Sequence, residues 1–126
     1  MEQLKEGKKG LHIVNDKMGT PTYTHDFAAN VKLLIEKGES GLFNMVCGGL
    51  TGRLEVAKEL IKILNLQDEI KITEVTSYYF SKEYFADRPL CERLINNRLS
   101  DLGLNEMREW QVALKEYLHD YYSDYL

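Results

Sequence analysis

At 126 residues the chain can bury one modest core and is too short for two, so a single domain over residues 1–126 is expected. Its formal net charge of -4, with lysine and arginine scattered among acids, excludes a broad nucleic-acid footprint. No apolar run reaches the ~18–20 residues of a membrane span, and the amino terminus carries no signal-peptide core; a cytoplasmic protein without membrane contact is expected.

Met1 to Gly10 is polar and lysine-rich and reads as the exposed end of a helix. Leu11 to Val14 is a short apolar strand. A hard turn follows. Gly19 permits a left-handed backbone, while Pro21 fixes its own φ and keeps Thr20 out of the helical region. Thr22 or Thr24 is expected to cap the next helix, with Asp26 in its first turn, where the dipole favours a carboxylate. Taken by itself, the stretch is a well-built strand-to-helix connection. Phe27, Ala28, Val31, Leu34 and Ile35 recur at helical spacing and are expected to face inward, with Gly38 as a left-handed C-cap.

Gly41 to Val46 reads as a second strand, apolar enough to be covered on both faces. Cys47-Gly48-Gly49-Leu50-Thr51-Gly52-Arg53 then leads into a helix that turns Leu54, Ala57, Leu60, Ile61 and Leu64 inward. Phosphate-binding loops occur at such places, but the G-x-G-x-x-G spacing and the Walker lysine are missing, so the reading is a glycine-rich turn with Thr51 as N-cap. A third strand spans Glu69 to Val75, where Ile70 and Ile72 alternate with lysine and threonine. Ser77 to Pro89 is irregular and aromatic, and Asn97 to Leu102 suggests a short helix stopped by Gly103. The last helix, from about Asn105, should bury Met107, Trp110, Ala113, Leu114 and Leu118, with Tyr117 and Tyr121 at the same spacing. The class is α/β: a small partial sheet of about three strands packed with three main helices.

Cys47 and Cys91 belong to no CxxC, and His12, His25 and His119 are far apart, so neither a disulfide nor a metal site is expected and both thiols should be free and buried. Arg88 is held by Pro89 on a loop, which suits a fixed contact with a phosphate or carboxylate; a structural salt bridge to Asp87 or Glu92 is the other reading.

The segment Asp16-Lys17-Met18-Gly19-Thr20-Pro21-Thr22-Tyr23-Thr24-His25-Asp26-Phe27-Ala28 resembles the Asp-Gln-x-Gly-Ser-Pro-Thr-Tyr-x-x-Asp-Leu-Ala segment of dTDP-4-dehydrorhamnose reductases, which are extended short-chain dehydrogenase/reductases. In the same order, Gly41-Leu42-Phe43-Asn44 is similar to the family's Gly-Ile/Val-Tyr-His, and Thr51-x-x-x-Glu55-x-Ala57 to its Ser-Trp-x-Glu-Phe-Ala. Ala86-Asp87-Arg88-Pro89 is similar to its Ala-x-Arg-Pro, and Trp110 to the tryptophan of its last helix. This chain departs from the pattern at Lys17, Gly52 and Glu92, where the family carries glutamine, tryptophan and serine.

The resemblance covers only the family's C-terminal, substrate-binding portion. It implies an enzyme that reduces a dTDP-4-keto-6-deoxyhexose with NADPH or NADH, toward dTDP-L-rhamnose. Asp16, Gly19, Thr20, Pro21, Thr22 and Arg88 would shape the pocket for the dTDP-sugar. The N-terminal dinucleotide-binding domain would be missing, so this chain is expected to bind no cofactor and to carry no catalytic residue. Tyr78-x-x-x-Lys82 matches the family's catalytic dyad by spacing, but it follows the Gly-Thr-Pro-Thr motif instead of preceding it and reads as a chance match. Strands cut from their partners should drive self-association. A non-catalytic sugar-nucleotide-binding or regulatory module on the same scaffold is the alternative.

Overall fold

The computed structural model describes residues 1–83, 86 and 88–125. A one-turn helix, α1 (Glu2–Lys5), leads into strand β1 (Gly10–Val14). Helices α2 (Thr24–Glu36) and α3 (Arg53–Ile63) follow before strand β2 (Lys71–Val75). β2 pairs in parallel with β1, placing Gly10 opposite Lys71 and Val14 opposite Val75. The connection between them is long enough to hold two helices, as a parallel crossover requires. Helices α4 (Asn97–Asp101) and α5 (Trp110–Tyr121) complete the order. Leu11 and Val14 of β1 are buried together with Leu54, Ile61 and Leu64 of the α3 segment, which packs on β1.

Among the described residues the sheet has two strands, and Gly41–Val46 is not a third. Gly41 takes φ 112°, outside the strand region, and side chains satisfy much of the backbone that follows. Asn96 accepts from the Val46 amide at 3.0 Å and donates to the Val46 carbonyl at 2.8 Å, as a neighbouring strand would. Arg98 donates to the carbonyls of Ser40 and Leu42. Nor is the segment covered on both faces, since Leu42 is 87% exposed.

α2 has the expected span but is turned about its axis: Leu34 is buried as expected and Val31 is half-buried, while Ala28 is exposed. Its buried residues are Asp26, Asn30 and Leu34, whereas Phe27 and Ile35 are exposed. Polar partners decide this. Asn30 donates to the Leu104 carbonyl and accepts from the Glu106 amide, both at 2.8 Å. Asp26 receives Arg108 Nε at 3.0 Å and Nη2 at 2.6 Å. Facing inward, Asp26 and Asn30 supply partners to Arg108, to the Leu104 carbonyl and to the Glu106 amide, so their own burial escapes the several-kcal/mol cost of an unpaired polar group.

The same bonds explain why α5 begins at Trp110 and not near Asn105. The backbone at Leu104 and Glu106 is already committed to Asn30, and the chain stays extended as far as Glu109. α5 then buries Trp110, Ala113 and Leu118, while Tyr121 is exposed. Tyr23, Cys47, Met107, Trp110 and Ala113 form one core cluster. Gly38 and Gly103 both take positive φ, 69° and 67°, and close α2 and α4 as left-handed caps.

Neither expected threonine cap forms. Tyr23 is the N-cap of α2 and Gly52 that of α3, without a side-chain bond in either case, and the buried Thr51 hydroxyl donates to the Gly52 carbonyl. Cys47 is free and buried, and burial pushes its thiol up. Cys91 is free but exposed, against the expectation. No helix among the described residues is long and apolar enough to cross a membrane.

Candidate functional site

Three loops meet at Met18. Its amide donates to the Leu90 carbonyl at 2.8 Å, its carbonyl accepts from the Glu92 amide at 2.9 Å, and the next amide, Gly19, donates to Thr51 at 3.0 Å. Gly52 allows this approach, because a Cβ there would lie 2.7 Å from the Lys17 carbonyl oxygen and 2.9 Å from Glu55 Oε2. Gly19 does not take positive φ, and a Cβ on it would meet nothing within 4 Å, so the left-handed turn expected there is absent. The positive φ lies at Gly49, 90°, packed against Trp110.

Between these loops, one face of α3 and the turn after β2 lies a cleft of about 820 Å³. It is lined by Gly19, Thr20 and Pro21, by Gly52, Arg53 and Val56, and by Ser77, Tyr78, Ser81 and Arg88, among others. Four of the six expected site residues, Gly19, Thr20, Pro21 and Arg88, therefore share one wall system. Thr22 is exposed and does not line the cleft, and Asp16 lies behind it. Asp16 accepts from the Ser77 amide and hydroxyl, each at 2.9 Å, and so fixes the 3₁₀ turn Ser77–Phe80 at the cleft edge. Burial alone would raise the Asp16 carboxyl, but the bonds from Ser77 outweigh it and hold the group below its ordinary value.

Among the described residues the lining carries three cations, Lys17, Arg53 and Arg88, against one carboxylate, Glu92, in a chain whose net charge is -4. Lys17 Nζ donates to the carbonyl of Arg88 and, at 3.2 Å, to that of Pro89, which tethers the arginine loop to the Gly-Thr-Pro-Thr loop. Arg88 meets Glu92 at 3.6 Å, the salt bridge anticipated as one of its two readings. Both side chains are mostly exposed, and such a pair is worth only ~0–1 kcal/mol, so an incoming anion can displace Glu92 at little cost. Thr20 Oγ1 donates to the Gly49 carbonyl at 3.1 Å and so faces the glycine loop.

The glycine loop itself leaves no room for a phosphate. Gly48 and Gly49 are closed off by packing: a Cβ on either would run into the Glu109 carboxylate, and on Gly49 also into the Trp110 ring. A carboxylate facing that loop opposes a phosphate. Tyr78 lines the cleft in its 3₁₀ turn, whereas Lys82 lies beyond the turn and is not part of the described lining.

One cluster was invisible to sequence spacing. The ligating atoms of His25, Glu116 and Asp120 lie within 4.8 Å of one another. Each group already has partners. The two nitrogens of His25 meet the hydroxyls of Tyr23 and Tyr121, and Glu116 is bound by Arg108.

The fold and the cleft define a small α/β domain of the cleft-bearing kind. The chain belongs to the RmlD substrate binding domain family, which residues 1–123 match. It is 30% identical over 120 residues to the spore coat polysaccharide biosynthesis protein SpsK of Bacillus subtilis, covering 95% of this chain and 40% of that protein. It is 26% identical over 117 residues to the dTDP-4-dehydrorhamnose reductase of Mycolicibacterium smegmatis, covering 92% of this chain and 35% of the relative. The crystal structure of a dTDP-4-dehydrorhamnose reductase from Clostridium acetobutylicum superposes with a TM-score of 0.83 at 31% identity, covering 94% of this chain and 41% of that one. That of the reductase from Bacillus anthracis in complex with NADP has the same fold, with a TM-score of 0.82 at 22% identity over 95% of this chain and 41% of the other. The chain thus spans about two-fifths of the length of the relatives it matches.

Proposed function

We propose that the chain is the substrate-side, C-terminal portion of a cytoplasmic dTDP-4-dehydrorhamnose reductase-like protein, a single domain that holds a dTDP-sugar and performs no reduction by itself. The observation that carries this is the cleft, in which Gly19, Thr20, Pro21 and Arg88 converge beside Lys17 and Arg53. Arg88 and Lys17 face the diphosphate. Thr20 and Pro21 shape the wall, Thr22 follows them outside the cleft at the approach to α2, and Asp16 positions the opposite edge through Ser77. The remaining chemistry, hydride from NADPH or NADH and a proton for the carbonyl oxygen, belongs to a dinucleotide-binding domain outside these residues. The cleft residues contribute orientation and exclusion of water.

The exposed apolar side of α2, with Phe27 and Ile35, and the exposed Leu42 are where that domain would seat. Titration calorimetry with dTDP, NADPH and NADH tests the reading. Weak dTDP binding that is lost on Arg88→Ala, with no heat from either dinucleotide, is expected. Tight dinucleotide binding that is lost on changing Gly48 or Gly52 would overturn it.

A further inference from the structure

Two adjacent tyrosines follow β2, and the fold uses them differently. Tyr79 lies flat on His12, with ring centroids 4.9 Å apart and planes 11° from parallel, and meets Phe80 edge-on. Tyr78 has no ring or hydrogen-bond partner among the described residues, although it stands in the cleft wall and is 82% exposed. Its backbone is not loose. The Asp16 carboxylate holds the preceding residue by three bonds, from the Ser77 amide at 2.9 and 3.1 Å and from its hydroxyl at 2.9 Å. A large ring on a fixed turn, with no described ring against it and cations elsewhere in the same cleft, lacks a planar partner among the described residues.

We propose that Tyr78 is the stacking platform for the nucleobase of the bound nucleotide, and that Asp16 is a positioning residue that sets the platform's height through Ser77. Given the reading of the cleft as a sugar-nucleotide site, on which this assignment rests, base and diphosphate are held by different elements. The turn after β2 takes the base, and the Lys17–Arg88 loops take the phosphates. Tyr78-x-x-x-Lys82 then matters for its ring and not as a proton-transfer dyad. Every base has a flat π face, so Tyr78 supplies affinity without choosing among bases.

The test titrates the 126-residue chain with dTDP and, separately, with inorganic diphosphate, comparing wild type with Tyr78→Phe, Tyr78→Leu and Arg88→Ala, each checked for its fold by circular dichroism. Tyr78→Leu should weaken dTDP about tenfold or more and leave diphosphate unchanged, while Tyr78→Phe keeps near-wild-type affinity because the ring remains. In wild type the thymine methyl protons should shift upfield on binding, and in Tyr78→Leu they should not. If dTDP affinity is unchanged in Tyr78→Leu but falls in Arg88→Ala, the platform is overturned and the cleft reading stands. If wild type binds no dTDP at millimolar concentration, the cleft reading fails and the platform fails with it.

Discussion

The side of the molecule around α2 and α5 and the side around the cleft treat polar groups in opposite ways. On the first side, buried polar groups are paired. Asp26 is held by Arg108, Asn30 is bonded at both ends of its amide, and Asn96 bonds both backbone groups of Val46. The buried Trp110 Nε1, which lacks a partner among the described residues, is the exception. On the cleft side, among the described residues, Arg88 pairs through its side chain with the exposed Glu92 alone, and Tyr78 touches no ring. Groups committed to each other hold a fold, and groups left weakly committed on a rigid frame are available to a ligand. Stability should therefore be most sensitive on the first side and binding on the second.

The strongest way to break that division is Arg108→Met. Glu116 and Asp26 hold the guanidinium charged, raising it well above its usual value, and Glu116 in return is held below its ordinary 4.5 by the Arg108 bond. Losing the arginine leaves Asp26 buried without its partner. The loss should be about 2–3 kcal/mol, below the ~3–5 of a fully buried pair because Arg108 is a third open to solvent. A depressed carboxylate stabilises the fold above its ordinary range, and that contribution disappears as pH falls through the folded-state value. Thermal melts from neutral to acid pH should thus show a lower melting temperature in Arg108→Met and a shallower acid decline. An unchanged neutral melting temperature would remove the latch from the account.

Next in size is a paired glycine test. Gly52→Ala puts a Cβ against the Lys17 carbonyl and should cost about 1–3 kcal/mol, whereas Gly19→Ala has open space and should stay within about 0.5 kcal/mol. Equal denaturation midpoints for the two variants would contradict the three-loop crossing at Met18.

The smallest expected effect is association. Phe27 and Ile35 on α2 leave apolar surface open, and sedimentation should show concentration-dependent self-association that Ile35→Glu weakens. A clean monomer at high concentration would count against a missing partner domain.

Much of the secondary structure was legible because it follows local rules. β1, the extents of α2 and α3, and the glycine stops at Gly38 and Gly103 all came from short-range period and backbone preference. The inward face of α2 came only in part, at Leu34. It depends on Arg108, Leu104 and Glu106, more than seventy residues away, and no local period reports such partners. Gly41–Val46 was read as a strand because a short, nearly all-apolar run signals a buried strand, but composition does not say whether the partner is a strand or an asparagine side chain. In the candidate site the motif pointed to loops that line the cleft, but the backbone geometry within them differs from the expected turn. Gly19 is ordinary and Gly52 is the close approach, while Asp16 braces a turn behind the cleft. Tyr78 was visible in sequence only as half of a dyad, since its place in the wall depends on the β1–β2 register.

The central claim, that the cleft between the Met18 crossing and the turn after β2 holds a sugar nucleotide, is tested most directly by amide chemical-shift mapping of the chain on addition of dTDP. Shifts concentrated at Gly19, Thr20, Gly52, Arg53, Ser77, Tyr78, Ser81 and Arg88, with α5 unmoved, are the predicted result. Shifts centred on Gly48, Gly49 and the start of α5, or none at saturating ligand, would contradict it.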